Sequence, residues 1–376
     1  MLSMLWPMML GGFALGLDAY VLAGLLPHIA SDFQITQAQA GLGVALFTAA
    51  YAISAPGLSF IATKLSTKKA LLFGLAIFSV GNALTALTTI FSIYLISRLI
   101  AGIGAGLYSP LSASSAADLV SANLRGRALS MVLAGLSIGT ALGVPIGLQI
   151  EANFSWRWTM VFITVLGIIS FLGIMCHKSS FPTPARIPWR SRIKTLYDPY
   201  ILKTLSVTLL AGIASLGLYT YIAEVLSARD MDNQTTFFIW LWGVGGMVGA
   251  LFVGKVIDQH LRSHQATLVL LSLLIFSYFL VSHAPVYLVG FSCLVWGLAG
   301  WSCMAPQQYD LVSRDPSQAN ISIAWNSSAN YLGSAIGASL GAFMLSMSIT
   351  PALLPIGAAL VTACALVIHI NKAKSS

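Results

Sequence analysis

Long apolar runs and short polar gaps alternate along this chain from one end to the other. The first run, Leu5 to Leu26, is already long enough to cross a bilayer, because about 20 helical residues at ~1.5 Å rise span a hydrocarbon layer of ~30 Å. Twelve such segments are predicted, at residues 4–26, 39–62, 70–90, 93–116, 128–150, 158–176, 200–226, 235–257, 265–283, 286–308, 319–346 and 350–370. The first has no basic n-region and is longer than the apolar core of a signal peptide, so it reads as a retained span. No polar stretch is long enough to fold alone. The pattern predicts a single all-α integral membrane protein with twelve transmembrane helices.

Composition agrees, with 57% hydrophobic and 8% charged residues and a mean hydropathy of +0.85. The formal net charge of +8 changes meaning once its placement is considered. With the N-terminus inside, sixteen of the nineteen basic residues fall in cytoplasmic gaps, from Lys64, Lys68 and Lys69 through Arg125 and Arg127 to Lys372 and Lys374. Only Arg157 and Arg229 fall outside, and Arg98 lies within a span. The bias places both termini in the cytoplasm and supports an even number of spans. It is a topology signal, not a nucleic-acid surface.

Cys176, Cys293, Cys303 and Cys364 lie in or at the ends of spans without CxxC spacing and read as packing residues. Neither a disulfide framework nor a metal site is suggested. There is no G-x-x-x-x-G-K-[ST] loop for ATP and no HExxH motif. An enzyme is not expected, nor a bound cofactor.

The longest polar gap, with Pro182, Pro184 and Pro188, divides the chain into residues 1–176, a cytoplasmic linker 177–199 and residues 200–376. The halves repeat one feature. Span five carries Gly135, Gly139, Gly143 and Gly147, with Pro145 near its end, and span eleven carries Gly333, Gly337 and Gly341. Small residues every four positions flatten one helix face for close backbone approach. Two equivalent smooth faces suggest symmetry-related helices that slide or rock against neighbours. Span eight ends in Gly254-Lys255-Val256-Ile257-Asp258, where span two ends in Thr63 and Lys64.

Together these segments resemble the major facilitator superfamily, in its twelve-span drug/proton antiporter branch. The similarity is to the arabinose, purine-nucleoside and chloramphenicol efflux permeases. It is carried by Leu17-Asp18-Ala19-Tyr20 and the Leu25-Leu26-Pro27 exit of span one, and by Ser97-Arg98-Leu99-Ile100-Ala101-Gly102-Ile103-Gly104-Ala105-Gly106 in span four. Arg125-Gly126-Arg127, the stretch Gly139 to Gly147 followed by Trp156-Arg157, Trp301 with Pro306-Gln307-Gln308, and Asn326-Ser327-Ser328 add to it. The resemblance implies two pseudo-symmetric six-helix bundles around a central cavity and transport by alternating access. It departs after span two, where the family places an aspartate and this chain has Thr63; Asp258 in the second-half copy is the substitute acid for gating.

Of eleven acids, only Asp18 and Glu224 fall within the predicted spans, and Arg98 is the one base well inside. Counting ~1.5 Å per residue puts Asp18 about 13 Å and Arg98 about 9 Å below the outer surface, within one helical turn of each other. Intramembrane acids are costly and usually serve a substrate or a proton. Asp18 is therefore the candidate proton or cation carrier and Glu224 a candidate near the outer boundary. The resemblance, which lines the central cavity with spans one, four, seven and ten, implies Arg98 as the partner of Asp18 across it. The other reading of Asp18 and Arg98 is a structural ion pair. His28 reads as a solvated loop histidine.

Tyr20, Tyr108, Tyr219, Tyr221 and Trp301, with Asn326 and Asn330 one turn apart, are the substrate-binding candidates, suited to amphipathic or weakly cationic compounds. The leading expectation is a monomeric, proton-gradient-driven exporter of small organic molecules in the cytoplasmic membrane. The rivals are a facilitator or importer, and a membrane sensor or scaffold.

Overall fold

The computed structural model describes residues 5–62, 66–119, 125–176, 193, 195–314 and 319–373, and all regular structure among them is helical. Ten helices among these residues are long and apolar enough to cross a membrane. The other two predicted spans are helical as well, at 125–153 and Ala319–Ser346. Glycine and polar side chains lower their hydropathy, for the same reason that they pack well inside a bundle. The chain divides into two compact units, Met1–Arg186 and Ile187–Ser376.

In the first unit, α1 runs Trp6–Phe33, α2 Gln37–Ala62, α3 Thr67–Leu87 and α4 Phe91–Asp118. Span five is α5 (Arg125–Ile138), a π-helical turn (Gly139–Gly143) and α6 (Val144–Asn153), and span six is α7 (Trp156–Met175). The π turn sits just ahead of Pro145. Proline has no N–H for the preceding turn and its ring crowds that turn's carbonyl, so the widened turn absorbs the misfit.

The glycine stripe of span five lies on a ridge of α1 with the same spacing. A methyl group at Gly135 would strike the Met9 carbonyl oxygen, and one at Gly139 the Phe13 carbonyl oxygen. Gly143 and Gly147 lie against Leu17 and Val21. In span four, alternate glycines face opposite ways. Gly102 and Gly106 abut Phe47 and Tyr51 of α2, while Gly104 abuts Phe78 of α3.

The second unit repeats the plan. Span seven is α8 (Pro199–Thr220) followed by the short α9 (Ile222–Ser227); α10 is Thr235–Gln259 and α11 Ser263–His283. Span ten is α12 (Val286–Ser302) and α13 (Met304–Arg314), α14 is Ala319–Ser346 and α15 Leu354–Ala373. The glycines of α14 press on α8 as those of span five press on α1: Gly333 meets Leu209, Gly337 meets Ile213 and Gly341 meets the Tyr221 ring.

Three boundaries differ from the sequence expectation. Helix α1 continues through Pro27 to Phe33 and stops at Gln34, which takes a left-handed conformation (φ 55°) and returns its N–H to Ala30 and Ser31. His28 is therefore helical rather than in a loop; it is exposed and lies 3.1 Å from Glu151. Span seven breaks at Tyr221, which caps α8 with a non-helical backbone. Span ten breaks at Cys303, ahead of Pro306, which lacks the N–H that would reach Ser302.

Candidate functional site

Asp18 and Arg98 meet in the first unit. The α3–α4 hairpin sets the level of Arg98: Gly81 lets α4 approach at Ala101, and the Thr85 and Ser97 hydroxyls share a hydrogen bond of 2.7 Å across the helix pair. Asp18 arrives from α1, where Leu15, Leu17, Val21 and Leu22 around it are all buried. Arg98 Nη1 lies 2.9 Å from Asp18 Oδ1, and both side chains are 0% exposed. Helical rise gives the two a common depth; the structure brings them into direct contact.

A third residue, which the sequence does not single out, completes the group. Asn82 of α3 is fully buried and accepts from Arg98 Nη1 at 3.0 Å. Its Nδ2 donates to Asp18 Oδ2 at 3.1 Å and to the Phe78 carbonyl at 3.2 Å. The guanidinium lies over the Phe47 ring, 4.6 Å from its centre. Satisfaction is incomplete: Asp18 Oδ1, Arg98 Nε and Arg98 Nη2 are buried with no hydrogen-bond partner among the described residues. The close Asp18–Arg98 contact is thus an ionic approach without hydrogen-bond alignment. Partly satisfied charge in a low-dielectric interior is energetically sensitive to any change in protonation.

The remaining candidates scatter. Tyr20 is buried on α1. Tyr108 is fully buried and its hydroxyl donates to the Met8 carbonyl at 3.1 Å, while Tyr221 donates to Ala338 at 2.8 Å. Both hydroxyls are bonded inside their own units. Tyr219 stacks on Trp242, with ring centres 4.0 Å apart, and Trp296 and Trp301 stand edge-on to Trp242. Trp242 and Trp296, which no sequence motif picks out, form the buried heart of this cluster.

Asn326 is fully buried and donates to Thr208 Oγ1 at 2.6 Å; Thr208 donates to Gln307 Oε1, and Gln307 donates to the Cys303 carbonyl at 2.9 Å. Asn330, one turn on, is half-buried. Glu224 lies on α9 with one carboxylate oxygen, Oε2, buried and without a hydrogen-bond partner among the described residues. Thr63 and Lys64 lie outside the described residues, as do the side chains of Arg125, Arg127 and Asp258.

Two further charged groups, expected in loops, are tied to helix ends. Arg157 donates to Asp32 Oδ2 from Nε (3.1 Å) and Nη2 (2.7 Å), and from Nη1 to the Ala86 and Thr88 carbonyls. Arg229 likewise donates to the Val281 and Ala284 carbonyls. Each of these arginines caps the open carbonyl end of the third span in its unit. Lys372 is 2% exposed, pairs with Asp310 at 2.9 Å and lies over the Tyr200 ring.

A helical membrane protein with two similarly built six-span units has the architecture of a membrane transporter. Similarity to known proteins narrows the class. Residues 8–338 match the model of the Major Facilitator Superfamily, and the chain belongs to that family. It is 26% identical to the inner membrane transport protein YdhP of Escherichia coli (strain K12), over 97% of this chain and 94% of that one. It is 24% identical to the putative transporter AraJ of the same strain, over 95% and 91%. To the chloramphenicol resistance protein of Streptomyces lividans it is 27% identical over 65% and 64%. Among solved structures, the human organic anion transporter MFSD10 (TETRAN) superposes with a TM-score of 0.70 over 98% of this chain and 99% of that one, at 18% identity. The chain is a multi-pass membrane transporter of small solutes and not an enzyme.

Proposed function

We propose that this transporter exports small organic compounds in exchange for protons, with Asp18 as the proton carrier. The observation that carries the reading is the fully buried, incompletely satisfied Asp18–Arg98 pair in a transmembrane bundle. Ionised Asp18 is held by Arg98 and Asn82. A proton entering from outside neutralises the carboxylate, weakens the hold on the guanidinium and biases the helices that carry them. Release of that proton to the cytoplasm resets the pair as substrate leaves.

The aromatic cluster around Tyr219 and Trp301 and the amides of Asn326 and Asn330 suit an amphipathic or weakly cationic substrate. Export accords with the name of one relative, the chloramphenicol resistance protein. The likeness to MFSD10 is one of fold, and its substrate class is not carried over. The transporter works as a monomer in the cytoplasmic membrane with both termini inside, and Asp258 takes part in the cytoplasmic gate in place of an acid at Thr63.

A growth screen of an overexpressing strain against diverse toxic compounds supplies a substrate. Its transport is then followed in proteoliposomes with and without an inward proton gradient. Accumulation that ignores the gradient identifies a facilitator and overturns antiport.

A further inference from the structure

Asn82 is the neutral group that touches both charges of the buried pair. Its orientation is fixed, because its NH₂ faces two acceptors, Asp18 Oδ2 and the Phe78 carbonyl, while its oxygen faces the Arg98 donor. The reversed amide would set donor against donor. Arg98 Nη1 is shared between Asp18 Oδ1 at 2.9 Å and Asn82 Oδ1 at 3.0 Å, and only the bond to Asn82 has hydrogen-bond alignment. When Asp18 is neutralised, Arg98 loses its counter-charge but keeps this bond. The amide does not titrate, so it holds the guanidinium equally well on both sides of the protonation step.

We infer that Asn82 is a positioning residue that retains Arg98 while Asp18 is neutral and, through its bond to Asp18 Oδ2, sets the pH at which Asp18 takes up its proton. This rests on Asp18 being the proton carrier. Tyr94 of α4 is a further titratable side chain within electrostatic reach of both charges, and its hydroxyl already donates to the Ala40 carbonyl. On α2 the titratable side chain is Tyr51, which interacts with Tyr20. The charges of α6 and α7 are engaged elsewhere, Glu151 with His28 and Arg157 with Asp32.

The test needs no transported substrate. The purified full-length protein is titrated by infrared difference spectroscopy, following the C=O stretch of a protonated carboxyl, and the Asp18→Asn variant identifies the Asp18 band. In Asn82→Leu the hydrogen bond to the ionised carboxylate is lost, and the midpoint is expected about half a pH unit higher or more. In Asn82→Asp two carboxyls share one guanidinium, and the upper midpoint is expected about one unit higher, tenfold in proton affinity. If Asn82→Leu does not fold, Asn82→Asp decides alone. A purely structural role lowers thermal stability and leaves the midpoint in place. Variants that titrate with the wild-type midpoint overturn the role of Asn82. Identical carboxyl titrations of wild type and Asp18→Asn, with no band lost in the variant, overturn the proton-carrier reading beneath it.

Discussion

Asp18 and Arg98 are each expensive to bury alone, so they should depend on one another for stability. Arg98→Met leaves a buried carboxylate without its counter-charge, and a loss of about 3–5 kcal/mol is expected. Asp18→Asn together with Arg98→Met removes both charges and should recover most of that loss without recovering proton-driven transport. Thermal unfolding of the two detergent-purified variants measures the difference; equal destabilisation would contradict the pairing.

The pair itself was legible, because a charge inside an apolar run is conspicuous and helical rise gives its depth. Asn82 was not, since an amide barely disturbs hydropathy and its value depends on which helices meet. Lys372 is hidden for the opposite reason. Charges at span ends are counted as solvated, yet Lys372 is buried against Asp310 and the Tyr200 ring.

At the scale of the element, glycine stripes fix which helices touch. Gly139→Val drives a branched side chain into the Phe13 carbonyl, and the general cost of overpacking, about 1–3 kcal/mol, is a lower bound for a backbone collision. A methyl group at Gly254 would meet nothing within 4 Å, so Gly254→Ala should leave folding intact. Yield and thermal midpoint of the two variants, measured side by side, check the contrast. The repeat of small residues was readable as a smooth face, and the structure supplies what the spacing alone lacked, namely that span five lies on span one and span eleven on span seven.

The helix breaks were less readable. Pro145 lies beside one of them, but a proline alone does not specify the π turn that precedes it. Pro145→Ala restores a backbone N–H and is expected to straighten span five. Slower transport at normal insertion is the predicted result, and a wild-type rate would mean that the irregular turn has no part in the cycle.

Across the whole molecule, the two units share a plan of helix contacts and differ in their polar interiors. The first buries an ion pair with an amide; the second buries an amide–hydroxyl chain from Asn326 through Thr208 to Gln307, and an aromatic cluster. The common plan was visible in hydrophobic spacing and in the inside bias of basic residues. The division of polar content was not, because buried amides and hydroxyls are spread through all the spans and only tertiary contact selects among them.

Proton-driven exchange through Asp18 is the central claim, and one transport assay addresses it directly. Wild type and Asp18→Asn are reconstituted side by side in proteoliposomes, and movement of a screened substrate is followed with and without an imposed proton gradient. Gradient-driven exchange in the wild type and its loss in Asp18→Asn, at equal incorporation, is the predicted result. Full gradient-driven exchange by Asp18→Asn would contradict it.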